Sequence, residues 1–228
     1  MIVKEIKKED FVNYRKPSMF IGMGDCDYKC CIEAGIDKGV CQNSALHQAP
    51  DISIPADTLV DEYLRNPITE AVVLGGLDPL CDFASVMDFV IAFRGVSNDD
   101  IVIYTGYNQD EIHDKLVTLS KYPNIIVKVG RYVPNDIPRY DDVLGVTLAS
   151  SNQYAIKLYD YQVIINPDKE LVRTITSQLK ENGGYCPCRL VHNADTKCKC
   201  AEFRKQLEDF TWYGECHCGL YIKTKRGI

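Results

Sequence analysis

The sequence lacks the features of a membrane or secreted protein. No run approaches the roughly 18 apolar residues that a transmembrane helix needs, and Met1–Asp10 is too charged for a secretory signal. Basic residues are also in the minority, with 26 Lys and Arg against 32 Asp and Glu, a net charge of -6. That balance does not favour a nucleic-acid-binding surface. We therefore predict a globular protein with neither nucleic acid nor a membrane as its partner.

Cysteine is absent from residues 82–185 and concentrated on both sides of that gap. Five cysteines precede the gap and six follow it: Cys26, Cys30, Cys31, Cys41 and Cys81, then Cys186, Cys188, Cys198, Cys200, Cys216 and Cys218. Without a secretory signal, such clusters indicate metal or redox chemistry rather than a disulfide scaffold. Two clusters near opposite ends predict two sites.

Strand-like and helix-like segments alternate between the two clusters. Short apolar runs predict strands at Met19–Gly24, Glu70–Leu74, Ile101–Tyr104, Ile125–Val129 and Tyr154–Leu158. Helical spacing of apolar residues predicts helices at Asp57–Arg65, Phe83–Phe93 and Gln109–Leu119. This alternation indicates an α/β fold with a parallel sheet and right-handed crossovers. The pattern changes after Leu158, where a helix over Asp168–Glu181 ends at Gly183-Gly184. We predict domains over 1–160 and 161–228.

The C-terminal cysteines form three CxC pairs, separated by nine and fifteen residues. In an extended chain both thiols of a CxC pair point the same way and can reach one metal centre. An iron–sulfur cluster takes four cysteine ligands, so two of the six remain. Zinc is the alternative, since CxC pairs also bind zinc.

This segment, roughly Leu171–Lys223, resembles the catalytic subunit of ferredoxin:thioredoxin reductase. The resemblance rests on CPCR at Cys186–Arg189, a central CxC and CHC at Cys216–Cys218, although the two gaps differ from the plant-type pattern. It implies a 4Fe–4S cluster with the ligands Cys186, Cys198, Cys200 and Cys216. It also implies a redox-active disulfide between Cys188 and Cys218, with His217 as the neighbouring proton donor or acceptor. The implied partners are a thioredoxin-like protein and a ferredoxin or flavodoxin electron donor.

The N-terminal 160 residues resemble the radical S-adenosylmethionine superfamily, in particular the activating protein of anaerobic ribonucleotide reductase. Beside CxxxC at Cys26–Cys30, four segments match that family in order: Gly75–Leu80 (GGLDPL), Tyr104–Tyr107 (YTGY), Val129–Tyr132 (VGRY) and Ser150–Gln153 (SSNQ). The resemblance implies a second 4Fe–4S cluster and bound S-adenosylmethionine. It also implies that the large subunit of the anaerobic reductase is the partner that receives a glycyl radical.

The third cysteine departs from the superfamily's CxxxCxxC spacing, because Glu33 stands where it is expected. An insertion over Cys31–Val40 moves the third ligand to Cys41, which gives a ligand set of Cys26, Cys30 and Cys41. Cys31 is an alternative to Cys30. By the same resemblance, Gly75, Gly76, Asp78 and Asn152 would bind the cofactor, with Asp78 accepting hydrogen bonds from its amino group. Cys81 is expected to be a buried small residue rather than a ligand.

The leading hypothesis is a two-domain iron–sulfur redox enzyme. Its fold would be a partial (βα) barrel of radical S-adenosylmethionine type, followed by a small, mainly helical iron–sulfur domain. Two oxygen-sensitive centres predict an anaerobic, cytoplasmic protein. One alternative keeps the C-terminal disulfide reductase and makes the N-terminal domain a non-catalytic iron–sulfur docking or electron-transfer module. Another is a zinc-binding adaptor.

Overall fold

The computed structural model describes residues 1–158, 161–209 and 212–225, and it divides into two units. The first unit is Met1–Tyr159 and the second is Asp160–Ile228. The predicted domain boundary at residue 160 lies outside the described residues. Within the described ranges, every helix is too short or too polar to cross a lipid bilayer.

The first unit alternates strands and helices over most of its length. Its strands are β1 (Ile2–Asp10), β2 (Ser18–Met23), β3 (Ile52–Ser53), β4 (Ala71–Gly76), β5 (Asp100–Tyr104), β6 (Ile125–Val129), β7 (Arg139–Asp141), β8 (Val146–Leu148) and β9 (Tyr154–Lys157). Its α-helices are α1 (Lys29–Ala34), α2 (Ser44–Gln48), α3 (Ala56–Leu64), α4 (Phe83–Arg94) and α5 (His113–Leu119). Short 3₁₀ turns at Lys38–Val40, Pro79–Asp82 and Gln109–Ile112 connect several of them.

The described part of this unit has a seven-stranded sheet in the order β3-β1-β2-β4-β5-β6-β9. The central strands β2, β4, β5 and β6 run parallel to one another, and their apolar runs are buried on both faces. Such runs are typical of strands covered by helices on both sides. Phe89 and Phe93 of α4 are fully buried, and Phe93 packs edge-on against Tyr63 of α3 with ring centroids 4.8 Å apart. Because the four central strands run parallel, their carboxyl ends lie along one edge of the sheet.

The sheet differs from the predicted partial (βα) barrel because antiparallel strands flank its parallel centre. β1 pairs antiparallel with β2 and β3 on one side, and β9 pairs antiparallel with β6 on the other. The link between β1 and β2 is too short for the crossover helix that a parallel pair requires. The segment between β6 and β9 contains the antiparallel β7–β8 pair rather than a helix. The prediction of an α/β fold with a largely parallel sheet is confirmed, whereas nothing supports the barrel.

The second unit has two helices packed with a small antiparallel sheet in its described part. Its elements are β10 (Tyr161–Ile165), α6 (Lys169–Glu181), α7 (Ala201–Glu208), β11 (Gly214–Glu215) and β12 (Tyr221–Lys225). The strand order is β10-β12-β11. Helix α6 is the predicted one: Asp168 caps its free amides at Glu170 and Leu171, and Gly183 and Gly184 follow it with positive φ.

The three-stranded sheet corrects the expectation of a mainly helical domain. β10 (YQVII) and β12 (YIKTK) are rich in β-branched and aromatic residues, which favour strands. They lie far apart in the sequence but pair in register from Tyr161 with Lys225 to Ile165 with Tyr221. The pairing gives the second unit a flat layer for its helices and cysteines to pack on.

Lys223 of β12 ties the end of α7 to this sheet. Its side chain is 1% exposed, and its ammonium donates hydrogen bonds to the carbonyl oxygens of Gln206, Leu207 and Asp209 at 3.2, 3.0 and 2.6 Å. The last carbonyls of a helix have no partner within the helix. Lys223 therefore donates to all three of these carbonyls, and the Asp209 carbonyl also accepts from the Trp212 amide at 3.3 Å.

We expect Lys223→Met to lower the free energy of unfolding of the second unit by about 2–3 kcal/mol, because it removes three hydrogen bonds made by a buried ammonium. Trp212 is the chain's single tryptophan and packs on Phe203 of α7, so its fluorescence during denaturant unfolding reports on this unit. Lys197→Met, at an exposed lysine of the same unit, is the control and should change little. Equal unfolding midpoints for the two variants would contradict the role given to Lys223.

Candidate metal and redox sites

A pocket of about 540 Å³ opens at the carboxyl ends of the parallel strands in the first unit. This is the edge at which open α/β sheets bind ligands. Four cysteines line the pocket: Cys26, Cys30, Cys31 and Cys41. Polar and main-chain groups from the strand ends complete it: Gly76, Asp78, Thr105, Gly106, Lys128 and Gln153. The fold therefore brings the N-terminal cysteines to residues of the GGLDPL, YTGY and SSNQ segments.

Helix α1 presents its two adjacent cysteines to different neighbours. Cys30 lies so close to Gly106 that a Cβ added to that glycine would be 2.6 Å from the Cys30 sulfur. Cys31 is buried and hydrogen-bonded to Cys41. Burial raises the pKa of Cys31, and the neighbouring Cys41 raises it further. Cys30 thus faces the ends of the strands, whereas Cys31 pairs with the thiol predicted to be the third ligand.

Glu33, at the position where a third cysteine is expected, holds α1 against the sheet edge. Arg131 follows β6 and is 6% exposed, and its guanidinium donates to Glu33 Oε2 and Oε1 at 2.9 and 3.1 Å. The same guanidinium donates to Glu111 at 2.7 Å, and Lys29 of α1 also pairs with Glu111. Bidentate pairs of arginine and carboxylate fix geometry as well as charge. This network is what places Cys30 at the pocket.

Asp78 joins the GGLDP segment to the TGY segment. Its carboxylate is 9% exposed and accepts hydrogen bonds from Thr105 Oγ1 and the amides of Gly106 and Leu80 at 2.9–3.0 Å. Burial raises the pKa of Asp78, while the Gly106 and Leu80 amides oppose that rise. Both oxygens therefore have partners within the chain, and Asp78 fixes the position of the loop. Its predicted contact with a cofactor amino group stays a prediction.

The two glycines of the GGLDP segment have different surroundings. Gly76 lines the pocket with φ of +79°, and a Cβ there would lie 2.2 Å from Leu46 of α2. Gly76 also accepts a hydrogen bond from Asn43 Nδ2 at 2.5 Å. Gly75 faces the Phe20 ring instead, and a Cβ on Gly75 would lie 3.2 Å from that ring. Gly76 therefore allows the segment that carries Cys41 to approach the strand ends, and Gly75 has a packing role.

The SSNQ segment contributes a different residue from the one predicted. Asn152 is exposed and is not among the residues lining the pocket. Gln153 lines the pocket, is 5% exposed and accepts a hydrogen bond from the Ser150 amide at 3.2 Å. A turn gives the two neighbours different surroundings, which their residue types do not reveal.

Cys81 is half-buried and lies beside the pocket rather than in its lining. It hydrogen-bonds the Tyr107 hydroxyl at a distance of 3.7 Å, and that hydroxyl donates to Asp27 Oδ2 at 2.5 Å. No pattern in the sequence indicates this contact. Cys81 thus has a partner of its own outside the group of four cysteines that lines the pocket.

The donor set of this pocket fits an iron–sulfur cluster. Burial raises the pKa of Cys26 to about 12, and it also raises the pKa of Cys30. A metal centre that binds thiolates offsets this penalty. Within the described residues, no three His, Cys, Asp or Glu side chains converge on a point that would hold a single metal ion. Cys26, Cys30 and Cys41 line the same pocket and are the thiols available to such a centre.

Five of the six C-terminal cysteines gather in the core of the second unit, and Cys188 lies outside it. Tyr185 and Lys197 form an antiparallel bridge that sets the CPC and CKC segments side by side, and Cys200 directly precedes α7. The CHC segment lies in the turn between β11 and β12. Around these sulfurs pack apolar residues from α6, α7, β12 and the turn before β12: Leu171, Ile175, Phe203, Tyr221 and Leu220.

The C-terminal cysteines differ in exposure. Cys186, Cys200 and Cys216 are buried, Cys198 and Cys218 are half-buried, and Cys188 is exposed. A small cavity is lined by five of them, together with His217. Cys188 is not in that lining but hydrogen-bonds Cys186.

The two cysteines predicted to form the disulfide each lie beside a predicted ligand. Cys188 contacts Cys186, and the Cys218 sulfur is 3.7 Å from the Cys216 sulfur. Burial raises the pKa of Cys218 to about 12, and the nearby Cys216 opposes its ionisation as well. Burial also raises the pKa of Cys198, with Cys186 as the next contributor. Mutual repulsion of buried thiolates is what a cationic metal centre relieves, so these residues fit a cluster.

Comparison with known proteins supports the C-terminal resemblance. Residues 141–227 match the family model of the ferredoxin thioredoxin reductase catalytic beta chain. The match spans all six C-terminal cysteines and begins upstream of Leu171, where the resemblance starts in the sequence. No curated protein and no solved structure matches the chain, and none of these comparisons supports the N-terminal resemblance.

We expect Arg131→Met to loosen α1, because it removes the charge that binds both Glu33 and Glu111. Alkylation of Cys30 and Cys31, followed by peptide mass spectrometry on metal-free protein, should be about tenfold faster in the variant. Arg65→Met, at an exposed arginine of the same unit, should leave both rates unchanged. Unchanged labelling in Arg131→Met would mean that α1 is held by other contacts.

Proposed function

We propose that the second unit is an oxidoreductase that reduces a protein disulfide with electrons received singly at a 4Fe–4S cluster. The observation that carries the proposal is that five buried or half-buried cysteines line one small cavity, while the sixth, Cys188, is exposed. The family match over residues 141–227 supports it, because that catalytic chain is a disulfide reductase with a 4Fe–4S cluster.

In this proposal Cys186, Cys198, Cys200 and Cys216 hold the cluster. Three of them are buried and the fourth is half-buried, which suits ligands shielded from solvent. A bound cluster would supply electrons one at a time. Cys188 and Cys218 store two electrons as a pair of thiols, and each has a proposed ligand as its neighbour.

The exposed Cys188 is the group that attacks the partner's disulfide. Its sulfur forms a bond to one partner sulfur while the partner's S–S bond breaks and the other sulfur leaves as a thiolate. Cys218 then attacks Cys188, which releases the second partner sulfur and leaves Cys188 and Cys218 joined. His217 is exposed between Cys216 and Cys218, and its ring is suited to give the proton that the leaving thiolate takes up. Two electrons that arrive singly, together with two protons from solvent, would restore the thiol pair.

We expect Cys188→Ser and Cys218→Ser each to abolish disulfide reduction while the C-terminal cluster stays in place. Cys198→Ser should instead lose that cluster. Anaerobic iron and sulfide analysis together with a thioredoxin reduction assay separates the two results. Loss of the cluster in either of the first two variants would show that the ligand assignment is wrong.

We propose further that the pocket of the first unit holds a 4Fe–4S cluster and S-adenosylmethionine. In support, Cys26, Cys30 and Cys41 line one pocket at the carboxyl edge of a parallel sheet, together with Gly76 and the loop fixed by Asp78. A cluster with three cysteine ligands keeps one iron open for the cofactor, and it would supply the electron that cleaves the sulfonium. The expected product is a radical that acts on a glycine of an anaerobic ribonucleotide reductase.

The displaced third ligand also has structural support. Asn43 binds Gly76, and this contact brings the segment that follows the insertion to the pocket with Cys41. The competing proposal, a docking or electron-transfer module, keeps the cluster but has no cleavage activity. Formation of 5′-deoxyadenosine from S-adenosylmethionine by reduced, reconstituted protein separates the two.

We expect Cys41→Ala to lose the N-terminal cluster, about four irons per chain, whereas Cys81→Ala keeps it. Cys41 lines the pocket, and Cys81 instead contacts Tyr107. Iron analysis and electron paramagnetic resonance of the reduced proteins measure the difference. Cluster loss in Cys81→Ala with retention in Cys41→Ala would overturn the ligand set. Zinc in place of iron in the unmodified protein would favour an adaptor.

The partners follow from the two activities. A thioredoxin-like protein would present its disulfide to Cys188, and a ferredoxin or flavodoxin would supply electrons. Lys169, Arg173 and Lys180 line a groove along α6, which also packs on the cysteine core through Leu171 and Ile175. Positive charge there suits an acidic electron carrier.

A further inference from the structure

Lys128 is a buried lysine in the middle of an otherwise apolar strand. It belongs to β6 (IIVKV), is 6% exposed and lines the pocket of the first unit. Its ammonium donates hydrogen bonds to the carbonyl oxygens of Thr105 and Gly130 at 3.3 and 3.1 Å. It forms no ion pair with any residue in the described part of the chain. Lysine is rarely buried in this way without a negative partner, because a charge is costly to remove from water.

Lys223 in the second unit shows what a purely structural buried lysine looks like in the same chain. An ammonium carries three donors, and Lys223 uses all of them on three carbonyl oxygens at the end of α7. Lys128 has acceptors for two. The third donor is left for a group in the pocket that its side chain lines.

Cys30 is the thiol that interacts most directly with this charge. Lys128 donates to the carbonyl of Thr105, and the next residue, Gly106, packs against the Cys30 sulfur. The peptide unit between Thr105 and Gly106 therefore lies between the Lys128 ammonium and the sulfur of a proposed cluster ligand. Burial lowers the pKa of Lys128 to about 8, while Cys30 and then Asp78 act to raise it.

The other ionisable groups around this peptide already have hydrogen-bond or ion-pair partners within the chain. Asp78 accepts hydrogen bonds from Thr105 and from the Gly106 and Leu80 amides. Arg131 is held by Glu33 and Glu111. Lys128 is thus a cation at the pocket whose charge has no carboxylate partner in the described residues.

We propose that Lys128 is a positioning residue for the metal centre of the first unit, where its charge offsets the negative charge of the thiolate-ligated cluster and raises the cluster's reduction potential. The inference rests on the proposed function of this pocket. Reduction adds a negative charge to the cluster, so a nearby cation stabilises the reduced form more than the oxidised one. Groups around a metal's ligands commonly tune the metal in this way.

The test is a potentiometric titration of the full reconstituted chain without S-adenosylmethionine, followed by electron paramagnetic resonance. We expect Lys128→Met to shift the N-terminal cluster to a lower midpoint potential and Lys128→Arg to stay close to the unmodified protein. The C-terminal cluster should not move in either variant and serves as the internal reference. Lys157→Met removes an exposed lysine from the neighbouring strand β9 and should not shift either cluster.

Each result bears on the proposal. An unchanged potential in Lys128→Met with the cluster present would overturn it, as would a shift that appears only after S-adenosylmethionine is added. If Lys128→Met does not hold the cluster, Lys128→Gln is measured instead, because its side chain keeps hydrogen-bond donors but carries no charge. Loss of the cluster in both neutral variants with retention in Lys128→Arg supports the need for charge. Loss in all three would make Lys128 structural. Absence of an N-terminal cluster from the unmodified protein would instead refute the proposed function of the pocket.

Discussion

Crowding of buried thiols is the constraint on which both candidate sites depend. Cys26, Cys30 and Cys31 have pKa values raised by burial in the first unit, and Cys198 and Cys218 have them raised in the second. Close sulfurs also oppose one another's ionisation. Alanine or valine at these positions would give nearly the same packing energy as the thiols, with a lower risk of oxidation. The arrangement makes physical sense when a centre that requires thiolates offsets these penalties.

The two units reach this arrangement by different local means. In the first, four parallel strands end at one edge, and α1 is held there by charge pairs centred on Arg131. In the second, the bridge between Tyr185 and Lys197 and the turn between β11 and β12 gather short loops around an apolar core. Rigid strand ends leave an open pocket that has room for a ligand beside a cluster. Tight loops leave a small cavity and one thiol facing solvent, which suits exchange with another protein.

The sequence predicts the parts of the fold whose signals are local. Glu70–Leu74, Ile101–Tyr104 and Ile125–Val129 are short runs of buried strand, and the structure has β4, β5 and β6 at those places. β1 escapes prediction because its apolar residues are interspersed with charges, as in IVKEIKKED. The sequence does not predict β10 and β12 either, because each strand is stabilised by pairing with the other, which lies far along the chain. Antiparallel pairing over such distances has no local signature.

The candidate sites show the same limit. Spacing identifies the cysteines, but adjacent residues such as Cys30 and Cys31 differ only in what they face, and Gly106 and Cys41 lie far from one another in the sequence. Asn152 and Gln153 are similarly polar, and only the turn decides which one lines the pocket. The sequence does not single out Lys128 within its apolar run, because its proposed role depends on contacts with residues of other elements.

The departure from the expected third cysteine is where spacing and geometry disagree most. Glu33 stands at that position and binds Arg131, so the site of the missing ligand has become an anchor for α1. The inserted segment then returns through the 3₁₀ turn at Lys38–Val40 to α2, where Leu46 packs against Gly22 and Gly76. Both glycines lack the Cβ that would block this approach. The hydrogen bond from Asn43 to the Gly76 carbonyl holds this segment at the strand ends, and Cys41 of the same segment lines the pocket. These contacts are compatible with the proposal that Cys41 takes the place of the third thiol at the same edge of the sheet.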